Sequence, residues 1–309
     1  MNIRRIHKSF VNSYTPLIIT LLGFIVLRMF WIDKDNLLEL LGSMFAQIGV
    51  AIFLLFLTQK HVIIRERTLL PSFCYLLLIG TNHLFINNLQ GSVSALLVVS
   101  CLCFLFNIYQ TPFPQRNALN VSLLLTFGSL YWTPLIYFFP LFWWGMSWFK
   151  NLNIKTFLAS LMGIAIVCLF LLARSLYCEN WTVFAKILFD LSTLGEFQLA
   201  SLFIRNMTEI IFVGVLFILS VINAFRSDVS EKAQARTMLG YLSLLTVVLF
   251  IVFLFQNQWM KEWLLILYIP VSLLIAHYFT LTQNRVVMWL FLVTIVFFLF
   301  MFGWKWLAL

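Results

Sequence analysis

The chain has 309 residues, of which 62% are hydrophobic and only 10% are charged, and its mean hydropathy is +0.99. Soluble domains are roughly 45–50% apolar and about 25% charged, so the composition excludes a soluble globular protein. The net charge of +9 would suit nucleic-acid binding, but Lys and Arg occur singly or in threes between apolar stretches. We therefore interpret them as charges that set membrane topology, and we expect no nucleic-acid partner.

Apolar stretches of bilayer-crossing length recur along the whole chain. At about 1.5 Å per residue, roughly 20 residues cross a 30 Å hydrocarbon core. The predicted spans are residues 14–32, 41–58, 69–86, 93–109, 118–132, 134–149, 156–177, 207–225, 238–255, 264–281 and 286–304. The short spans 118–132 and 134–149 are either two full transmembrane helices or a pair with one re-entrant member. The predicted fold is all-α: one polytopic transmembrane domain over residues 1–309, surrounded by the lipid bilayer, with no soluble domain.

The positive charges predict the orientation of this bundle. With the N-terminus inside, alternate loops carry thirteen Lys or Arg on the inner side and five on the outer side, while Arg28 and Arg174 lie in spans. Because cationic loops stay in the cytoplasm, we predict a cytoplasmic N-terminus, a periplasmic C-terminus and an inner-membrane location. The first span, which follows Arg4 and Arg5, is interpreted as an uncleaved signal anchor.

Acidic residues show the opposite bias, with three inside and eight outside or at the outer boundary. Acids contribute little to orientation, so topology alone does not require this bias. The longest predicted external loop, residues 178–205, has Trp181, Phe184, Ala185 and Leu188 at helical spacing. This spacing predicts a short helix lying in the outer membrane interface.

Charged side chains inside spans are the first candidates for a functional site, because each costs roughly 2.5–3.5 kcal/mol at the centre of a membrane helix. Arg28, Arg174 and Glu209 all lie near the outer ends of their spans. One interpretation is an outward-facing polar pocket with Arg28, Arg174, Arg205 and Glu209 as substrate-binding residues, in which the arginines bind an anionic group such as a phosphate. The alternative is that the arginines snorkel to the interface or pair with a nearby acid.

Asp33 and Asp35 follow the first span directly and are the candidate catalytic residues. Two carboxylates there could bind a divalent cation or supply a general base; a solvated loop is the alternative. His83, which follows Asn82, could bind substrate or could simply be hydrogen bonded. The five cysteines have no metal-ligand spacing, so no metal site is predicted and any cofactor is unknown.

Three segments carry a resemblance to known proteins. They are RTLLP at residues 67–71, LLLTFGSLYWTP at residues 123–134, and the basic loop 150–155 that follows an aromatic run and leads into Leu161-Met162-Gly163. On these segments the chain resembles a family of uncharacterised multi-pass membrane proteins common in the Bacteroidota, over roughly residues 65–175. The resemblance implies a bacterial inner-membrane protein and supplies no catalytic residues. Asp33 and Asp35 in the first external loop are also loosely similar to the GT-C glycosyltransferases.

These features predict a bacterial inner-membrane protein of unknown activity that handles a lipid-linked or anionic envelope substrate at an outward-facing polar pocket. The residues do not decide whether it is an enzyme. One alternative is a non-catalytic assembly subunit that binds a membrane-protein partner through aromatic helix faces. Another is a small-solute transporter, for which Gln47, Asn107 and Asn223 are the few polar residues within spans.

The orientation can be checked with reporter fusions in the intact membrane. A fusion at Lys60 is expected to report the cytoplasm and a fusion at Gln198 the periplasm, because an odd number of spans separates them and cations are retained inside. If both fusions reported the same compartment, the predicted threading would be wrong.

Overall fold

The computed structural model describes residues 15–29, 37–66, 68–109, 111–177, 201–226, 232–256, 259–281 and 285–307. Within these ranges the regular elements are eleven α-helices and two short 3₁₀ helices, with no β-strand. The predicted all-α class is therefore confirmed. The predicted interfacial helix in the loop 178–205 falls mainly on residues 178–200, which lie outside the described residues.

The helices follow one another with short connections. They are α1 (Thr15–Met29), α2 (Leu37–His61), α3 (Leu70–Gly80), α4 (Leu89–Asn107), α5 (Gln115–Tyr131), α6 (Phe138–Trp148), α7 (Ile154–Tyr177), α8 (Ser201–Arg226), α9 (Ala233–Phe255), α10 (Met260–Leu281) and α11 (Arg285–Leu307). The 3₁₀ helices are His83–Phe85, between α3 and α4, and Thr133–Tyr137, directly before α6.

Each predicted span overlaps one of these helices. Seven helices are long and apolar enough to cross a membrane, namely α2, α4 and α7 to α11, so the chain is a multi-pass membrane protein. The described apolar parts of α1 and α3 are shorter, and α5 and α6 have 17 and 11 residues against roughly 20 for a full crossing. The count of eleven crossings therefore stays a prediction, as does the orientation.

The chain divides into two compact units. The first lies within residues Met1–Ala95, Gln198–Phe253 and Trp259–Leu309, and the second within Leu96–Phe197 and Leu254–Gln258. Helices α1 to α3 and α8 to α11 thus belong essentially to the first unit, while α5 to α7 belong to the second.

Helix α10 forms the core of the first unit. In its apolar window 89% of the residues are buried, against 28% in α8 and in α11. It packs against α3, α8 and α11. A helix that is apolar all round can pack its side chains against either protein or lipid. Here α10 is enclosed by protein, while α8 and α11 also have exposed faces.

The second unit depends on a close approach of α5 and α7. The buried face of α7 repeats every three to four residues and consists mainly of small side chains: Thr156, Ser160, Gly163, Val167, Leu171 and Ser175. A Cβ atom built on Gly163 would overlap Ser122 Oγ of α5 and lie 3.0 Å from the Leu119 carbonyl oxygen. Small residues allow this backbone approach, which is how helices associate where lipid removes the hydrophobic driving force.

Substitution of Gly163 tests this packing. Gly163→Ala is expected to lower the free energy of unfolding by about 1–3 kcal/mol, because the added methyl group has to displace α5. Gly303→Ala is the matched control, since a Cβ there meets no atom within 4 Å. Thermal unfolding of both purified variants in detergent would measure the difference. Equal midpoints for the two variants would contradict a close α5–α7 contact.

Candidate functional site

A buried arginine lies in the first unit, in the last turn of α1. The side chain of Arg28 is 1% exposed. Its Nη2 atom donates a hydrogen bond of 2.9 Å to Oε1 of Gln47, and its guanidinium carbon lies 5.1 Å from the centre of the Phe24 ring. Among the described residues, Nε and Nη1 have no hydrogen-bond partner. The described surroundings of the charge are thus a neutral amide, an aromatic ring and the phenol of Tyr75, with which Arg28 interacts electrostatically, and such an environment is costly for a buried cation.

Gln47 is held in place by its own amide nitrogen. Nε2 donates to the Phe85 carbonyl oxygen at 3.0 Å and to Ser92 Oγ at 2.8 Å. The Ser92 hydroxyl in turn donates to the Asn88 carbonyl oxygen at 2.7 Å. Because both amide hydrogens are used, the amide oxygen is directed to Arg28. Thus α1, α2, the start of α4 and the segment after α3 together fix the position of the guanidinium.

A buried carboxylate enters the same unit from α8. Glu209 is 2% exposed, and its Oε2 accepts a hydrogen bond of 2.9 Å from Nδ2 of Asn82. The Asn82 side chain is oriented by a second bond, in which the Leu84 backbone N–H donates to Oδ1 at 3.2 Å. A hydrogen bond to a charged acceptor is stronger than one between neutral groups, so this contact fastens α8 to the end of α3.

Phe85 and Tyr268 connect the two contacts. The Phe85 ring packs edge-on against Tyr268 of α10, with 5.9 Å between ring centres. The Phe85 carbonyl oxygen accepts from Gln47, while Tyr268 interacts electrostatically with Glu209. These residues therefore form one chain of neighbours, in which Phe85 joins Gln47 to Tyr268 through its carbonyl oxygen and its ring. We name Arg28, Gln47, Asn82, Glu209 and Tyr268 the Arg28–Glu209 cluster.

An apolar groove adjoins this cluster. It has a volume of about 250 Å³ and lies between α8, α9 and α10. Its lining is Ile210, Val213, Gly214, Phe217, Ile218, Thr246, Val247, Phe250, Ile251, Leu264, Leu267, Tyr268 and Val271. Tyr268 thus belongs to both features, and Ile210 directly follows Glu209.

Arg28 and Glu209, both expected at the site, are in this cluster. Arg174 is exposed on α7 and belongs to the second unit. Arg205 lies in α8 one turn before Glu209, and His83 begins the 3₁₀ helix after Asn82; nothing is described of either side chain.

The candidate catalytic residues Asp33 and Asp35 lie outside the described residues. In the described ranges no three His, Cys, Asp or Glu side chains cluster so as to hold a metal ion. The side chains of the cluster are one guanidinium, one carboxylate, two amides and one phenol.

Sequence reasoning missed three members of the cluster. Gln47 was singled out only for the transporter alternative, Asn82 only as a neighbour of His83, and Tyr268 was not singled out. The sequence feature that could have revealed these contacts is Gln47, an amide within the apolar 25-residue helix α2. Such a group requires a hydrogen-bond partner inside the protein.

Comparison with known proteins gives a family. Residues 7–305 match the model of a family of unknown function, DUF6427. The chain belongs to this family. The expectation of an uncharacterised family is thereby confirmed. No curated protein and no solved structure matches this DUF6427 chain.

Gln47 provides a test of the cluster in this DUF6427 protein. Gln47→Leu is expected to lower the free energy of unfolding by about 1.5–3 kcal/mol, because it removes a hydrogen bond to a buried charge. The exposed Gln59 of the same helix gives the control Gln59→Leu. The double variant Arg28→Met, Gln47→Leu should recover much of the loss, since replacing both partners removes the buried guanidinium that Gln47→Leu alone leaves without its partner. A Gln47→Leu protein as stable as the control in thermal unfolding would show that the contact carries no energy.

Proposed function

We propose that this DUF6427 protein handles an anionic or lipid-linked envelope substrate, and that Arg28 binds the anionic group in an outward-facing polar pocket. The observation that carries the proposal is the buried guanidinium itself. Two of its three nitrogens have no partner among the described residues, and the third is bonded to a neutral amide. An anion would supply the missing countercharge.

The chemistry of the guanidinium selects the class of ligand. Nε carries one N–H and Nη1 carries two, so these two nitrogens alone offer three donors to acceptor oxygens, and Nη2 keeps a second N–H beside the one given to Gln47. Phosphate and carboxylate groups match such donors, and charge-assisted bonds of this kind are stronger than neutral ones. Gln47 holds the guanidinium through Nη2, so the remaining donors are positioned before a ligand arrives, which lowers the cost of binding.

The surroundings favour a ligand that is itself part of the membrane. The outer face of α1 exposes Ile18, Ile19, Leu22 and Val26, as expected of a helix in contact with lipid. Arg28 lies in the last turn of this helix. An anion that approaches it through the bilayer has to carry an apolar chain, because a free ion does not partition into lipid. This is the reason for preferring a lipid-linked substrate to a free ion.

Asp33 and Asp35 remain the proposed catalytic residues, because they follow Arg28 by only five and seven positions. With the N-terminus inside, they lie on the same outer side as the pocket. Arg205 and His83 are proposed to line it, since they flank Glu209 and Asn82. The exposed Arg174 of the second unit is left outside the proposed pocket.

Ligand-dependent stability tests the anion site. The probe is dioctanoyl phosphatidic acid, and dioctanoylglycerol is the neutral control with the same chains. Saturation at about a hundred times Kd stabilises by roughly 2.7 kcal/mol, which should raise the unfolding temperature of the purified protein by several degrees. Dioctanoylglycerol should have no comparable effect.

Variants locate the effect. Arg28→Gln keeps a donor for Gln47 but removes the charge, and it should abolish the stabilisation by phosphatidic acid. Arg285→Gln changes an exposed arginine of the same unit and should preserve it, as should Arg174→Gln. Equal stabilisation of wild type and Arg28→Gln by phosphatidic acid would refute the proposal. Loss of this stabilisation in Arg174→Gln would show that Arg174 also belongs to the binding site.

A further inference from the structure

We propose that the ligand of Arg28 is a lipid, one hydrocarbon chain of which lies in the apolar groove between α8, α9 and α10. This inference rests on the proposed anion site and names the class of substrate that it serves. The chain would extend from the Arg28–Glu209 cluster past Tyr268 and along Val213 and Phe217.

The groove offers nothing to a polar ligand. Among the described residues of its lining, the side chains with polar atoms are Thr246 and Tyr268. The Thr246 hydroxyl donates to the Leu242 carbonyl oxygen of its own helix at 2.7 Å, and Tyr268 lies at the wall that faces the cluster. A hydrocarbon needs no hydrogen-bond partner, so it is the chemistry that this lining accepts.

The dimensions suit a single chain. The groove volume of about 250 Å³ is below the range of roughly 300–1,000 Å³ that is usual for sites of drug-sized ligands. Its wall on α8 extends from Ile210 to Ile218, or about 12 Å at 1.5 Å per residue. That is close to the roughly 15 Å depth of one leaflet, half of the hydrocarbon core.

The groove also has access to lipid. Ile218, Val247 and Ile251 line it and are 57%, 47% and 47% exposed. All three belong to helices that are long and apolar enough to cross the membrane. The medium in contact with this rim is therefore the acyl region of the bilayer, which makes a lipid chain the occupant to which the structure points.

Direct contacts join the groove to the anion site. Tyr268 lines the groove and packs on Phe85, whose carbonyl oxygen holds Gln47, which in turn holds Arg28. On the other side Ile210 of the lining adjoins Glu209. A lipid with its anionic group at the cluster therefore has an apolar path beside it.

Gly214 makes the groove accessible to experiment. A Cβ atom built there meets nothing within 4 Å, although the residue lies in the lining. Gly214→Leu should fill the groove without disturbing the helices. Gly303→Leu adds the same side chain where a Cβ also meets nothing within 4 Å and serves as the matched control outside the groove.

Photocrosslinking in nanodiscs tests the inference on the full chain. The probe is dodecyl phosphate with a diazirine in its alkyl chain, and the corresponding dodecyl alcohol is the neutral control. In wild type the crosslinked peptides are expected to contain residues 210–218, 246–251 or 264–271. Their yield should fall roughly tenfold in Gly214→Leu, because the added side chain occupies the space of the ligand, and should be unchanged in Gly303→Leu. Arg28→Gln should reduce it similarly.

The outcomes separate this inference from the proposed function. Dodecyl phosphate could stabilise wild type but not Arg28→Gln, and yet crosslink outside the groove or give the same crosslinking yield in Gly214→Leu. In that case the groove inference is overturned and the anion site stands. If the alcohol labels the groove as well as the phosphate does, and Arg28→Gln changes nothing, the groove holds bulk lipid and the inference is overturned too. If no probe shows dependence on phosphate, the anion site fails and the inference fails with it.

Discussion

The structure depends on one constraint, which is that polar atoms inside a membrane must find their partners within the protein. The backbone meets it by forming helices. Most hydroxyl side chains meet it within their own helix: Thr58, Thr126 and Thr246 each donate to the carbonyl oxygen four residues earlier. Gln47 and Asn82 use partners on other segments and thereby connect helices. Against this background the guanidinium of Arg28 is one of several buried groups among the described residues with an unsatisfied polar atom, as are Tyr75 and Asn88. Arg28 is the one of these three that carries a charge, and a charged group inside a membrane protein is where a ligand is to be expected.

The sequence predicted the positions of the helices well because membrane insertion depends mainly on the length and apolarity of a stretch. Every predicted span overlaps a helix, and the family match agrees with the expectation of a family of unknown function. Arg28 and Glu209, which lie in one cluster, stand out in the sequence because a charge within a span is costly. Gln47 and Asn82 cost less to insert and therefore gave a weaker signal.

Which side chains of a helix face protein and which face outward was harder to predict from the sequence. Arg28 and Arg174 occupy equivalent positions near the ends of their spans, yet the first is buried and the second exposed. For α7 the signal was present: the small residues from Thr156 to Ser175 mark the packed face, and Arg174 lies beside that row. For α1, which lacks such a row, burial is decided by contacts with α3, and these involve residues about fifty positions away. Hydropathy does not report contacts of that range.

The central position of α10 has a consequence for biogenesis. Its contacts with α3 join residues about 190 positions apart in the chain, which at 5–20 residues per second corresponds to roughly 10–40 s of synthesis. During that interval α1 to α3 have been synthesised, while Glu209 and Tyr268 have not yet been made. The partners of Arg28 that are already present are Gln47 and, through it, Phe85 and Ser92. The hydrogen bonds that hold Arg28 can therefore form early in synthesis. The packing of α10 against α3 forms only after most of the chain has been made.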